Sequence, residues 1–193
     1  MVGMIIALIV IVVIVIAIVS MYNGLVKART YTQESWSQIS VQMKRRNDLI
    51  PNLVNTVKGY AAHEKDTLSK VVALRNQLVD QTDNSAPSTK QREEIMKTSN
   101  QISDSLKSIF ALSESYPDLK ANQEFTKLME ELTNTENKIA YSRQLYNSSV
   151  ASYNIKLQSF PNNLIAGMGG FKPVDYLQVP EEETKNPTVS FDK

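Results

Sequence analysis

The sequence predicts an all-α protein: an N-terminal transmembrane helix followed by a long antiparallel helical bundle of three to four helices, the first kinked near Pro51. Three observations carry this. An unbroken apolar run fills Val2–Val19. An apolar stripe spaced by alternating threes and fours runs through Trp36, Ile39, Met43, Ile50, Leu53, Val57, Ala61, Leu68, Val71 and Leu78. A second stripe of that kind runs from Phe125 to Leu157. Such spacing marks a helix with one buried face. Gly and Pro are few and β-rich runs are absent after residue 20, which fits an all-α composition.

Val2–Val19 holds no polar side chain. At about 1.5 Å per residue it matches the hydrocarbon thickness of a bilayer. A cleaved signal peptide would need a basic n-region and a small-x-small cleavage site, and neither is present. Lys27, Arg29, Lys44, Arg45 and Arg46 all follow the run and none precedes it. The positive-inside tendency therefore places the bundle in the cytoplasm and the N-terminus outside. Tyr22 stands where an interfacial aromatic would set depth.

The stripe from Trp36 to Leu78 is interrupted by three charged residues, Arg46, Glu64 and Arg75. A charge on an apolar seam is costly unless it is partnered. Glu136 is the expected first partner of Arg46, ahead of Asp104, Glu114 and Glu124. Such a pair would set register between helices. Pro51 removes one backbone donor, and a kink is expected at 47–51.

Residues 80–88 compose a turn. Ser88-Thr89-Lys90-Gln91 matches a capping box and should start the next helix, which ends near Ser113. Tyr116-Pro117-Asp118-Leu119-Lys120 is a second connection. The last long helix runs from about Asn122 to about Ser159. In its stripe Thr135, Ser142 and Ser149 alternate with large residues, which lets a partner helix approach closely. Tyr146-Asn147 recurs seven residues on as Tyr153-Asn154, keeping both pairs on one face. Pro161 ends this helix.

Four segments follow: an anchor and junction at 1–26, a helical bundle at 27–159, an apolar docking segment at 160–179 and a polar tail at 180–193. In the third, Phe160, Leu164, Ile165, Met168 and Phe171 are too apolar for a free tail. They should dock on the bundle, on a neighbour or on lipid.

A net charge of +1 argues for no nucleic-acid partner. With no cysteine, disulfides and thiolate metal sites are excluded. His63-Glu64 lacks the second histidine of a zinc helix, since position 67 is Thr. One histidine cannot supply a di-iron bundle. Gly167, Gly169 and Gly170 have neither a preceding strand nor a following Lys-Ser/Thr pair, so they are no phosphate loop. The expectation is no enzyme, no metal and no cofactor. Lys44, Arg45, Arg46 and Asp48 compose either a solvated helix face, a subunit contact or an anion site.

Arg45 to Val54 (RRNDLIPNLV), Thr56 to Ala61 (TVKGYA) and His63-Glu64 together resemble the LemA family. Tyr116 to Ala121, Thr135 to Ile139, Arg143, Tyr146-Asn147, Phe160-Pro161 and Phe171-Lys172-Pro173 add to the resemblance, which covers about residues 20–177. It implies a bacterial single-pass protein of the inner membrane with a helical-bundle cytoplasmic domain and no established enzymatic activity. A relative of this type belongs to the proteins around magnetosome membranes, which implies membrane organisation. The leading expectation is a scaffold that assembles with copies of itself on the bilayer. The alternative is an adaptor bundle for another membrane protein, such as a protease or sensor. The candidate network for either is Arg45, Arg46, Asp48, His63, Glu64, Arg75, Glu136 and Arg143.

Overall fold

A computed structural model describes residues 1–61, 63–84 and 87–178. The expected polar tail at 180–193 lies outside the described residues. Among the described residues six helices follow one another: α1 (Val2–Lys58), α2 (Lys65–Thr82), α3 (Thr89–Ser115), α4 (Pro117–Lys120), α5 (Gln123–Gln158) and α6 (Asn162–Met168). No strand occurs among the described residues. The all-α expectation, with a long apolar N-terminal helix and a multi-helix bundle, is what the structure shows.

The 57 residues of α1 change character along its length. Its first part is exposed on every side, and its apolar window is long enough to cross a membrane with none of it covered by protein. In lipid a helix is favoured because it satisfies its backbone groups internally. From Leu25 onward a single stripe is buried: Leu25, Thr32, Trp36, Ile39, Met43, Arg46, Ile50, Leu53 and Val57. The helix passes from apolar all round to one-sided without a break, and Gly24 lies inside it.

Within the Trp36–Leu78 stretch one helix gives way to another. The helix continues through Pro51 and ends at Lys58; the break is at Gly59–Glu64. Tight bonds close the end, from the Gly59 and Tyr60 N–H groups to the carbonyls of Thr56 and Val57 (3.3 and 3.0 Å). Cross-chain bonds then hold the corner. Asn122 Nδ2 donates to the Tyr60 hydroxyl at 2.9 Å, and the Tyr116 hydroxyl donates to Glu64 at 3.3 Å.

Pro51 is accommodated by a substitute donor. Its missing N–H would have bonded the Asn47 carbonyl one turn back. That carbonyl instead accepts from Nε of Arg75, on α2, at 3.4 Å.

The capping box forms as expected. Ser88 Oγ accepts from the Gln91 N–H (3.4 Å), and the Ser88 N–H donates to Gln91 Oε1 (2.9 Å). Asn122 caps α5 by accepting from the Phe125 N–H at 2.9 Å. The second connection contains a turn of helix, α4, with Pro117 at its start, where the absent donor is harmless.

The chain forms two compact units. One comprises Met1–Lys44 and Thr135–Tyr176; the other comprises Arg45–Asn134 and the chain from Leu177. In the first, Trp36 meets Tyr146 edge-on, with ring centroids 5.9 Å apart. Thr135 and Ser142 are buried within the chain, so these small residues serve its own packing. In the second, Leu53, Val57, Leu68, Val71, Ile102, Leu106 and Leu132 are among the residues that make the core.

Candidate functional site

In the second unit the polar centre is Arg46. It is 0% exposed. Nη2 donates to Ser99 Oγ at 2.8 Å and Nη1 to Ser103 Oγ at 3.0 Å. The Ser103 hydroxyl hydrogen goes to the Ser99 carbonyl (3.2 Å), which turns its oxygen lone pairs toward the guanidinium. The serines lie one turn apart on α3, so the planar fork of Arg46 spans them and sets α3 at one axial register along this part of α1.

The other seam charges have separate tasks. Arg75 serves the Pro51 gap, and Glu64 precedes α2 and binds Tyr116. Arg45, Asp48 and His63 are exposed. In the other unit, Glu136 and Arg143 lie half-buried on α5, seven residues apart and therefore on one face. The residues that the spacing did not reveal are Ser99, Ser103, Tyr60, Tyr116 and Asn122. None sits on an apolar seam as a charge; Tyr60 and Tyr116 stood out only as members of the family motifs, and nothing local marked Ser99, Ser103 or Asn122 as a bonding partner.

In the first unit the segment after α5 is strapped back onto it. Asn154 Nδ2 donates to the Val174 carbonyl (2.8 Å), and its Oδ1 accepts from the Val174 N–H (3.0 Å). The Tyr153 hydroxyl donates to the Lys172 carbonyl at 2.9 Å. The repeated Tyr-Asn pair was the visible trace of this clamp. Burial raises the Tyr153 phenol above its ordinary pKa, with Arg29 opposing. The neutral phenol is thus favoured by folding. Its contribution is complete below the ordinary phenol pKa and is lost as pH rises through the raised value.

Asn154→Ala should release the strap at a cost of about 1–3 kcal/mol, because it abandons a donor and an acceptor together. Limited proteolysis after Lys172, compared with cleavage in the unchanged protein, checks this. Equal cleavage rates would show that Asn154 does not hold the segment.

The strap is prepared by a turn. The Phe171 N–H bonds the Ala166 carbonyl at 3.0 Å, and Gly170 has φ +67°, the left-handed residue that closes a Schellman motif. Phe171 then meets Tyr22 edge-on, 5.5 Å between centroids. Of the five apolar residues expected to dock, Ile165 and Phe171 are half-buried. Phe160, Leu164 and Met168 remain 80%, 59% and 87% exposed.

Among the described residues, no group of three or more His, Asp or Glu side chains is placed to hold a metal ion. What these arrangements do is bind helix to helix and chain end to helix.

The family model described as the LemA family matches residues 35–191. One relative is magnetosome protein MamQ 2 of Paramagnetospirillum magneticum, 26% identical over 194 residues, which cover 91% of this chain and 71% of that protein. Magnetosome protein MamQ of Magnetospirillum gryphiswaldense is 26% identical over 175 residues, 81% of this chain and 64% of that one. Protein LemA of Metamycoplasma hominis is 28% identical over 146 residues, 75% of this chain and 63% of that one.

Proposed function

The chain belongs to the LemA family, and on that premise we propose that it is a non-enzymatic, membrane-anchored scaffold. Copies of it assemble on the cytoplasmic face and organise or remodel the bilayer. Residues 1–26 serve as anchor and junction, 27–159 as the bundle and 160–179 as the docking segment. The observation that carries this reading is the continuity of α1. The helix with an exposed apolar stretch at its start supplies the buried stripe from Leu25 without any intervening linker. The unit of Met1–Lys44 and Thr135–Tyr176 is therefore joined stiffly to its anchor, as a scaffold requires. The two relatives named magnetosome proteins support a part in membrane organisation. Exposed Arg45, Asp48 and His63 are available for contacts between copies.

The mass of the full-length protein in mild detergent tests the proposal, by light scattering beside a form beginning at Lys27. A large, uniform assembly is expected for the full-length protein. Monomers in both cases would overturn self-assembly. The sequence contains no cysteine, so single introduced thiols can also report which side of the membrane the bundle occupies.

A second reading, an adaptor for another membrane protein, is favoured by one groove. The end of α1 and the start of α2 flank a depression of about 750 Å³ whose lining includes Val54, Leu68, Val72 and Ala73, with Lys58 and Lys65. It would suit an apolar segment carrying an acidic end. A heterologous complex without self-assembly would select this reading.

A further inference from the structure

We propose that α6 is a membrane-interface foot: its exposed Leu164 and Met168, with exposed Phe160 in the turn before it, lie in the lipid headgroup boundary beside the point where α1 leaves the bilayer. The proposal rests on the anchor reading of α1 and adds a second, independent membrane contact.

Depth is the first argument. The apolar run of α1 ends at Val19, and Tyr22 lies one turn further, at the level where interfacial aromatics reside. The segment after α6 is held at that level, because Phe171 meets the Tyr22 ring. The end of α5 reaches it too. Lys156 lies so close to Gly24 that a β-carbon built there would be 2.7 Å from Nζ. Gly24 therefore leaves room for α5 to bring α6 alongside the membrane exit.

The face is the second argument. Leu164 and Met168 lie four residues apart on α6 and share one side, and Phe160, in the turn just before the helix, is exposed as well. The opposite side carries buried Ala166, which holds α6 to its own unit. In water the exposed side would be an unfavourable apolar ridge. At a lipid boundary it is the apolar half of an interfacial helix.

Charge is the third argument. Lys27 and Arg29 follow the junction in sequence and Lys156 and Lys172 flank α6, all within this unit, against one carboxylate near the strap, Asp175. A cationic surround suits anionic headgroups. An apolar ridge with a cationic surround matches a lipid boundary on both counts, and lipid is the occupant.

The test uses the full-length protein in vesicles of phosphatidylcholine and phosphatidylglycerol, with few copies per vesicle. Leu164→Cys, Met168→Cys, Lys138→Cys and Ile9→Cys each carry an environment-sensitive fluorophore. The expected result is quenching of the 164 and 168 labels by nitroxide-bearing lipid. Their quenching by aqueous iodide should be at least about threefold weaker than at the exposed position 138. Labels at 164 and 168 as open to iodide as position 138, with the Ile9 label quenched by lipid, would overturn the foot and leave the anchor standing. Shielding that vanishes on tenfold dilution in lipid would overturn it in favour of contact between copies. An Ile9 label untouched by lipid nitroxide would overturn the anchor and the foot together. Self-assembly is read separately, from mass, so the scaffold can fail while the foot stands.

Discussion

Arg46→Ala should lower the unfolding free energy of the full-length protein by about 3–5 kcal/mol, the effect of a large buried side chain removed and two hydroxyls left unmet. The guanidinium is fully buried, and its two bonds reach Ser99 and Ser103 at 2.8 and 3.0 Å. Alanine would empty the volume of the stem and strip both serines of their donor. Arg46→Met fills most of that volume and removes a buried charge, so its cost should be only about 1–2 kcal/mol. Lysine offers a point charge in place of the fork and cannot serve two hydroxyls a helical turn apart in the same way. The order of stability should therefore be arginine, then methionine, then alanine. Urea unfolding in mild detergent, followed by helix content, measures the series. If alanine and arginine unfold at the same midpoint, the buried cation does not hold α3 against α1. If methionine leaves melting and assembly unchanged, Arg46 does not set register.

The second large effect couples Arg75 to Pro51. Arg75→Met should cost about 1–3 kcal/mol, because it takes from the Asn47 carbonyl the Arg75 donor that stands in for the proline's missing N–H. Pro51→Ala restores that N–H within α1. In the Pro51→Ala background the same Arg75→Met change should cost less than about 1 kcal/mol, giving a coupling of at least about 1 kcal/mol between residues on different helices. Pro51→Ala alone should stabilise, since an interior proline is unfavourable in a helix. A double-mutant cycle on urea midpoints reads all three numbers. Equal cost of Arg75→Met in both backgrounds would show that the 3.4 Å contact contributes nothing through Asn47.

These two results bear on why charges stand on an apolar seam. Arg46, Glu64 and Arg75 were conspicuous in the sequence because a seam charge requires a partner. The hydroxyls that Arg46 reaches and the carbonyl that Arg75 reaches were not legible. Ser99 and Ser103 are ordinary members of a serine-rich helix, far from Arg46 in sequence. The acceptor for Arg75 is a backbone carbonyl freed by a proline, which has no side-chain signature. The break at Gly59–Glu64 was hidden for a related reason. Val57, Ala61, Glu64 and Leu68 keep the three-four spacing across it, so the stripe continues in phase although the helix does not.

The apolar tail shows the same division. Composition identified Phe160, Leu164, Ile165, Met168 and Phe171 as residues needing cover. The structure separates them. Ile165 and Phe171 turn inward, because the Gly170 turn and the Tyr153–Asn154 clamp pull the following chain onto α5. Phe160, Leu164 and Met168 are left outward.

The sequence by itself determined the all-α class, the long apolar N-terminal helix, the long stripes, the capping box at Ser88 and the family. Each of these is local: a period, a run length or a motif within a few residues, which fixes backbone preference and burial pattern before any long-range contact forms. Tertiary structure alone decided where α1 ends, which groups satisfy Arg46 and Arg75, and which apolar residues of the tail face outward. Those outcomes depend on hydrogen-bond partners brought together from distant positions, and on buried polar groups that must be satisfied wherever a donor or acceptor happens to be brought within reach.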